Sequence, residues 1–162
     1  MNELKLIGPV FPIVTPFIDD SYEHYPIDLR SLRNYVNYLL ENGAKNIMVA
    51  SATSRFAQLT EEEIRMVNAI VAEQVGDKGL AIASTGILGS TKLHVETAQH
   101  AESVGAKVIA CEYPWRFQSI ESLANYYETI IQNTKEIQVL IHVTPGRSEL
   151  GGLFRYDVES LK

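Results

Sequence analysis

Short apolar runs alternate along this chain with longer stretches whose apolar residues recur at helical spacing. Runs rich in Val, Ile and Ala predict strands over residues 10–15, 46–50, 80–84, 107–111 and 138–143. The first helical stretch starts at Asp28, a good N-cap, carries Leu29, Leu32, Val36, Leu39 and Leu40 on one face, and stops at Gly43. The second covers residues 61–75 and ends at Gly76, and the third runs from Ser90 or Thr91 to Gly105. The fourth starts at Ser119, carries Leu123, Tyr126, Tyr127, Ile130 and Ile131, and fades near Asn133. A fifth begins near Tyr156 and Asp157. The clearest start signal is Thr60 followed by Glu63, a capping box in which the hydroxyl takes a first-turn N–H and the carboxylate reaches back to the Thr N–H.

Strands recur roughly every 30 residues, the length of one βα unit. Two helix ends carry the same turn into the next strand, Gly43-Ala44-Lys45-Asn46 and Gly105-Ala106-Lys107-Val108, a weak internal repeat. Most strands are nearly continuous apolar runs, the mark of parallel strands covered on both faces. The expected fold is therefore α/β, with parallel strands in chain order and helices on one side. Residues 1–162 are expected to form a single domain without an internal boundary, and the outermost strands keep open edges that favour association of an isolated chain. In such folds chemistry is placed on loops after the carboxyl ends of strands. That points to residues 51–55, which follow the apolar run Ile47-Met48-Val49-Ala50; the plain alternative is a simple strand-to-helix connection.

Composition narrows the function classes. The chain has 162 residues, 46% hydrophobic and 21% charged, enough for one domain with a real core. A net charge of −6 argues against nucleic acid, which demands a basic surface. No apolar run reaches the length of a membrane span and the N-terminus has no signal-peptide pattern, so a cytoplasmic protein is expected. Cys111 is the only cysteine, which excludes an intrachain disulfide, and its apolar neighbours Val108, Ile109 and Ala110 mark it as a small buried hydrophobe.

Four segments carry a resemblance to a known family: Phe11-Pro12-Ile13-Val14-Thr15-Pro16-Phe17, Leu59-Thr60-Glu61-Glu62-Glu63, Tyr113-Pro114-Trp115, and Ile141-His142-Val143-Thr144-Pro145-Gly146-Arg147. Together, at this spacing, the chain resembles the dihydrodipicolinate synthase / N-acetylneuraminate lyase family over essentially its whole length. The resemblance implies a TIM (β/α)8 barrel, of which this chain supplies about the first five βα units. It also implies class I aldolase or lyase chemistry, in which a lysine on the sixth strand forms a Schiff base with a 2-oxo acid such as pyruvate. That strand lies past Lys162. Lys45, Lys78, Lys107 and Lys135 all precede strands and so belong to the opposite end of the barrel, and Lys92 lies in the first turn of a helix. The chain alone is expected to be inactive. No cofactor and no metal are expected. The expected partner is a small anionic substrate, a 2-oxo acid or sugar acid, with no nucleic acid or membrane, and the full-length form is expected to be a homo-oligomer.

The departures from the family pattern bear on the site. The family loop Gly-Thr-Thr-Gly-Glu reads Ser51-Ala52-Thr53-Ser54-Arg55 here: Thr53 keeps the second threonine, Ala52 replaces the first, and Arg55 stands where the family has an acid. His142 replaces the strand-five tyrosine that shuttles protons, and Trp115 and Arg116 replace a pair of tyrosines. Arg147 matches the arginine that helps bind a substrate carboxylate in the synthases. His142 is the candidate catalytic residue, as general acid and base, or else a hydrogen-bonded filler. Ala52, Thr53, Arg55, Arg116 and Arg147 are the candidate binding residues. The three arginines follow strand ends, where they would form an anion site, or else pair with carboxylates such as Glu112 or Glu149 or project into solvent. His24, His94 and His100 read as loop and helix-surface residues without metal-ligand spacing. Tyr126 and Tyr127 read as packing residues. Ser51, Thr53 and Ser54 lack the partners of a hydroxyl nucleophile. Two classes of function remain: a Schiff-base lyase, or a catalytically diverged member that binds an anionic metabolite.

Overall fold

A computed structural model describes residues 6–18, 26–50, 52–86, 89–112 and 119–142. One sheet holds β1 (Val10–Pro12), β2 (Asn46–Met48), β3 (Leu80–Ser84), β4 (Val108–Glu112) and β5 (Gln138–His142), adjacent in chain order and parallel throughout. Between them lie α1 (Leu29–Glu41), α2 (Glu61–Val75), α3 (Thr91–Ser103) and α4 (Ile120–Gln132). The expected fifth helix lies outside the described residues.

Alternation along each strand separates two cores. Ile47, Val49, Ala81, Ala83, Ile109 and Cys111 face the helices, and pack in one cluster with Leu32, Val36, Val67, Val71, Ala98, Leu123 and Ile130. Met48, Ala50, Ile82, Val108 and Ala110 form a smaller cluster on the other face, flanked by Val10, Leu80 and Leu140. The continuous apolar runs follow from this, because both faces are covered. Tyr126 and Tyr127 belong to the helix-side core and contact each other edge to face at 4.9 Å. Cys111 is fully buried there; burial, then the adjacent Glu112 charge, pushes its thiol up to about 12, so it packs as a hydrophobe and is no nucleophile.

The helix starts follow their capping residues. Asp28 accepts the Ser31 N–H at 2.9 Å, and its bonds to the Ser31 side chain and backbone hold its carboxyl below the usual range. Thr60 and Glu63 form the reciprocal box, at 3.3 and 2.8 Å. Ser90 caps α3, and Ser119 caps α4 with Ser122 returning the bond. The repeated turn is also present: Gly43 and Gly105 take φ of 90° and 94°, and the Ala44 and Ala106 N–H groups each bond back over five residues at 3.0 Å.

Four expectations shift. The second strand ends at Met48 rather than at residue 50, although the Val49 N–H still reaches the Ile82 carbonyl at 2.9 Å. The β1 ladder stops at Pro12: the Ile13 N–H still reaches the Met48 carbonyl at 3.0 Å, but the Ile13 carbonyl accepts the Ser54 hydroxyl at 2.8 Å. The fourth strand lies one residue later than expected and takes in Glu112. His94 is not a helix-surface residue: it is 2% exposed, because it turns inward to the Tyr126 hydroxyl at 2.7 Å. Among the described residues no helix is long and apolar enough to cross a membrane.

Candidate active site at the carboxyl ends of the strands

The segment after β2 is a closed turn held to β1. Ser54 and Arg55 N–H groups bond back to Ala50 and Ala52 carbonyls at 2.7 and 3.2 Å, and a 3-10 turn at Phe56–Gln58 follows, anchored by buried Phe56. Ser54 is fully buried: its hydroxyl donates to the Ile13 carbonyl at 2.8 Å, and its carbonyl accepts the Thr15 hydroxyl at 2.7 Å. The serine standing where the family has glycine therefore ties the loop to the neighbouring strand. Ala52, Thr53 and Arg55 lie on the exposed rim of this turn. Arg55 holds φ 59° and ψ 35°, a left-handed conformation that costs a non-glycine residue energy. Arg116 and Arg147, like Ser51, lie outside the described residues.

At the end of β3 the buried Asn68 side chain of α2 donates to the Ser84 carbonyl at 2.8 Å and accepts the Ser84 N–H at 3.1 Å. The next residue, Thr85, is also fully buried and joins β4 through its N–H to the Ala110 carbonyl at 3.2 Å.

A carboxylate–imidazole contact on this rim joins β4 and β5. Glu112 and His142 are register partners at the ends of their strands. Glu112 continues the row of Val108 and Ala110, which places it on the sheet face away from the helices. Its Oε1 lies 2.7 Å from His142 Nδ1, with the carboxylate side chain 3% exposed and the imidazole 33%. A carboxylate buried to this degree requires a strong partner, because desolvation of its charge costs several kcal/mol when uncompensated, roughly. The backbone behind it is braced from the helix side: the Tyr126 hydroxyl lies 3.5 Å from the Glu112 carbonyl and 2.7 Å from His94 Nδ1. Burial, then the neighbouring Cys111 and Tyr127, raises the Tyr126 phenol, so it stays protonated and holds its bonds.

Thus His142 stands where the strand-five residue was expected, and Glu112, considered in the sequence only as a counter-ion for an arginine, is its partner. The signal for Glu112 was a charged residue two positions beyond Ala110 on an otherwise apolar strand face. The described lysines Lys45, Lys78, Lys92, Lys107 and Lys135 are all exposed, and Lys45, Lys78, Lys107 and Lys135 precede strands, at the opposite end of the sheet. Among the described residues no three His, Cys, Asp or Glu side chains are grouped to hold a metal ion.

Comparison with known proteins agrees with this scaffold. The dihydrodipicolinate synthetase family matches residues 5–151. The 4-hydroxy-tetrahydrodipicolinate synthase of Chloroherpeton thalassium is 32% identical over 149 residues, covering 91% of this chain and 47% of that protein. The synthase of Methanothermobacter thermautotrophicus is 29% identical, covering 90% of this chain and 50% of that one. The solved dihydrodipicolinate synthase from Bacillus anthracis superposes with a TM-score of 0.79 at 26% identity, covering 95% of this chain and 50% of that structure. N-acetylneuraminate lyase from Mycoplasma synoviae gives 0.73 at 27% identity, over 84% and 46%. The chain spans about half the length of the curated relatives it matches, and its parallel strands correspond to the N-terminal part of their barrel.

Proposed function

Because this chain belongs to the dihydrodipicolinate synthetase family, we propose that it forms the first part of a class I lyase acting on a 2-oxo acid such as pyruvate, with a Schiff-base lysine supplied by a sixth βα unit. The observation that carries this reading is His142, an imidazole at the carboxyl end of β5, on the rim where barrel enzymes place their chemistry. Imine formation requires protons to be moved at the carbonyl oxygen as water leaves, and the enamine forms when carbon 3 of the acid gives up a proton. An imidazole exchanges protons near neutral pH and suits either step. Arg55, Arg116 and Arg147 are the residues we assign to the substrate carboxylate or to a second anionic group.

The test is borohydride reduction in the presence of pyruvate followed by intact mass. A full-length protein should gain a reduced pyruvate adduct, and the 162-residue chain should gain none. An adduct on this chain would show that one of its own lysines reaches the site, and would overturn the assignment of the amine.

One observation favours a second reading, a diverged member that binds an anion larger or more highly charged than pyruvate. The loop that cradles the carboxylate in the family has Ser54 buried against Ile13 and a cation at Arg55. On this reading Arg147→Ala weakens binding of sugar acids or phosphates roughly ten- to hundredfold, since a charge-assisted contact contributes about 1.5–3 kcal/mol. Calorimetry that finds pyruvate bound as well as any of these, with no effect of Arg147→Ala, removes it. Assembly as a homo-oligomer is part of the same proposal.

A further inference from the structure

We propose that Glu112 is a positioning residue that locks His142 in its Nδ1–H tautomer, so that proton transfer on the inner rim is confined to His142 Nε2. This rests on the reading of His142 as acid and base, and adds the residue that makes its geometry definite. An ionised carboxylate has no hydrogen to give, so across the 2.7 Å contact Nδ1 must carry the proton and Glu112 must accept it. The remaining nitrogen, Nε2, then holds the lone pair and lies on the side of the ring away from Glu112.

Two features show that the pairing is built rather than incidental. The residues share a register position, so the ladder between β4 and β5 fixes their spacing before any side chain rotates. Glu112 also sits at the end of an inner row otherwise made of Val108 and Ala110, where an aliphatic side chain would complete the face without any desolvation cost. The chemical consequence separates this site from one using a phenol. A phenol accepts and donates at a single oxygen, whereas a locked imidazole takes a proton at Nε2 and is stabilised as imidazolium by the carboxylate behind it.

The deciding experiment is long-range 15N–1H correlation of the histidine side chains in the full-length protein, with the His142 signals identified by their loss in His142→Gln. Neutral His142 should show a protonated Nδ1 and an unprotonated Nε2. In Glu112→Gln, whose amide can donate to Nδ1, the Nε2–H form should become the major species, and Glu112→Asp should restore the original tautomer at least in part. In parallel, exchange of pyruvate methyl protons with D2O should slow about 100-fold in Glu112→Gln through kcat, with KM held within a few-fold. A wild-type His142 already in the Nε2–H form overturns the proposal. An unchanged tautomer and exchange rate in a folded Glu112→Gln protein overturns it as well. If the tautomer behaves as expected but His142→Gln exchanges at the wild-type rate, positioning by Glu112 stands and the acid–base role of His142 falls.

Discussion

Lys45 and Lys107 stand at one end of the sheet with their side chains in solvent, while Glu112 and His142 stand at the other, joined side chain to side chain. At the first end the contacts are mainly between backbones. The Lys45 and Lys107 carbonyls accept the Leu80 and Gln138 N–H groups at 2.6 and 2.9 Å, and the preceding Gly43 and Gly105 supply the left-handed turn. At the second end polar side chains make individual contacts: Thr15 with the Ser54 carbonyl, Asn68 with the Ser84 backbone, Glu112 with the half-buried His142. The first kind of contact repeats because any side chain can ride on it. The second does not repeat, because each contact depends on a side chain specific to its own strand.

The largest effect is expected at the backbone end. A Cβ on Gly79 would be driven into the Lys45 carbonyl oxygen, inside van der Waals contact, and neither backbone can yield without breaking the β2–β3 register. Gly79→Ala should lower unfolding stability by about 3 kcal/mol in urea titrations, while Lys45→Ala should change it by less than about 0.5 kcal/mol. Equal stability of Gly79→Ala and wild type would break the comparison.

At the other end Asn68→Ala removes both bonds to Ser84 and leaves its buried N–H and carbonyl unmet. A loss of about 2–3 kcal/mol is expected. Hydrogen exchange should localise it, with Ser84 and Thr85 amides losing protection well before those of β2.

Glu102 sharpens the contrast, a side chain used at the backbone end, as is Asn46, whose amide donates to the Ile7 and Pro9 carbonyls at 2.8 and 3.0 Å. One carboxylate oxygen accepts the Lys135, Glu136 and Ile137 N–H groups at 2.9, 2.6 and 2.9 Å, fixing the turn that feeds β5. Burial opposes its ionisation, but these bonds outweigh that and hold the carboxyl below its ordinary 4.5. The sign follows: with a lowered folded value, its contribution is complete above the unfolded value and is lost as pH falls through the folded one. Glu102→Gln should cost about 1–2 kcal/mol at neutral pH, and the gap from wild type should close progressively below about pH 4.5. A gap that widens in acid would contradict the geometry.

The smallest effect is expected at Arg55. Glycine relieves a left-handed conformation worth about 1–2 kcal/mol and gives back about 0.4–1 kcal/mol in unfolded-chain entropy, so Arg55→Gly should stabilise by roughly 0.5 kcal/mol. If Arg55 belongs to an anion site, the same substitution weakens anion binding in calorimetry. A variant both more stable and weaker in binding is the outcome that distinguishes a functional strain from a tolerated one.

Much of this architecture is determined by the sequence alone. Local signals placed the helices, because a capping side chain and its target N–H lie within one turn: Asp28, Thr60 with Glu63, Ser90 and Ser119 all cap where the chain read predicts. Parallel strand order follows from nearly continuous apolar runs alternating with helices, and the recurrent glycine turns needed no tertiary information. What the tertiary structure alone decided are contacts between residues far apart in the chain. Glu112 and His142 are 30 residues apart, His94 and Tyr126 are 32, and Thr15 and Ser54 are 39. In the sequence, His94 on a helix of mixed composition looks solvated and Glu112 reads only as a counter-ion for an arginine, because periodicity says which face a side chain is on and not what lies opposite. Only the register of β4 against β5 puts a buried carboxylate against an imidazole, and that register is a property of the packed sheet.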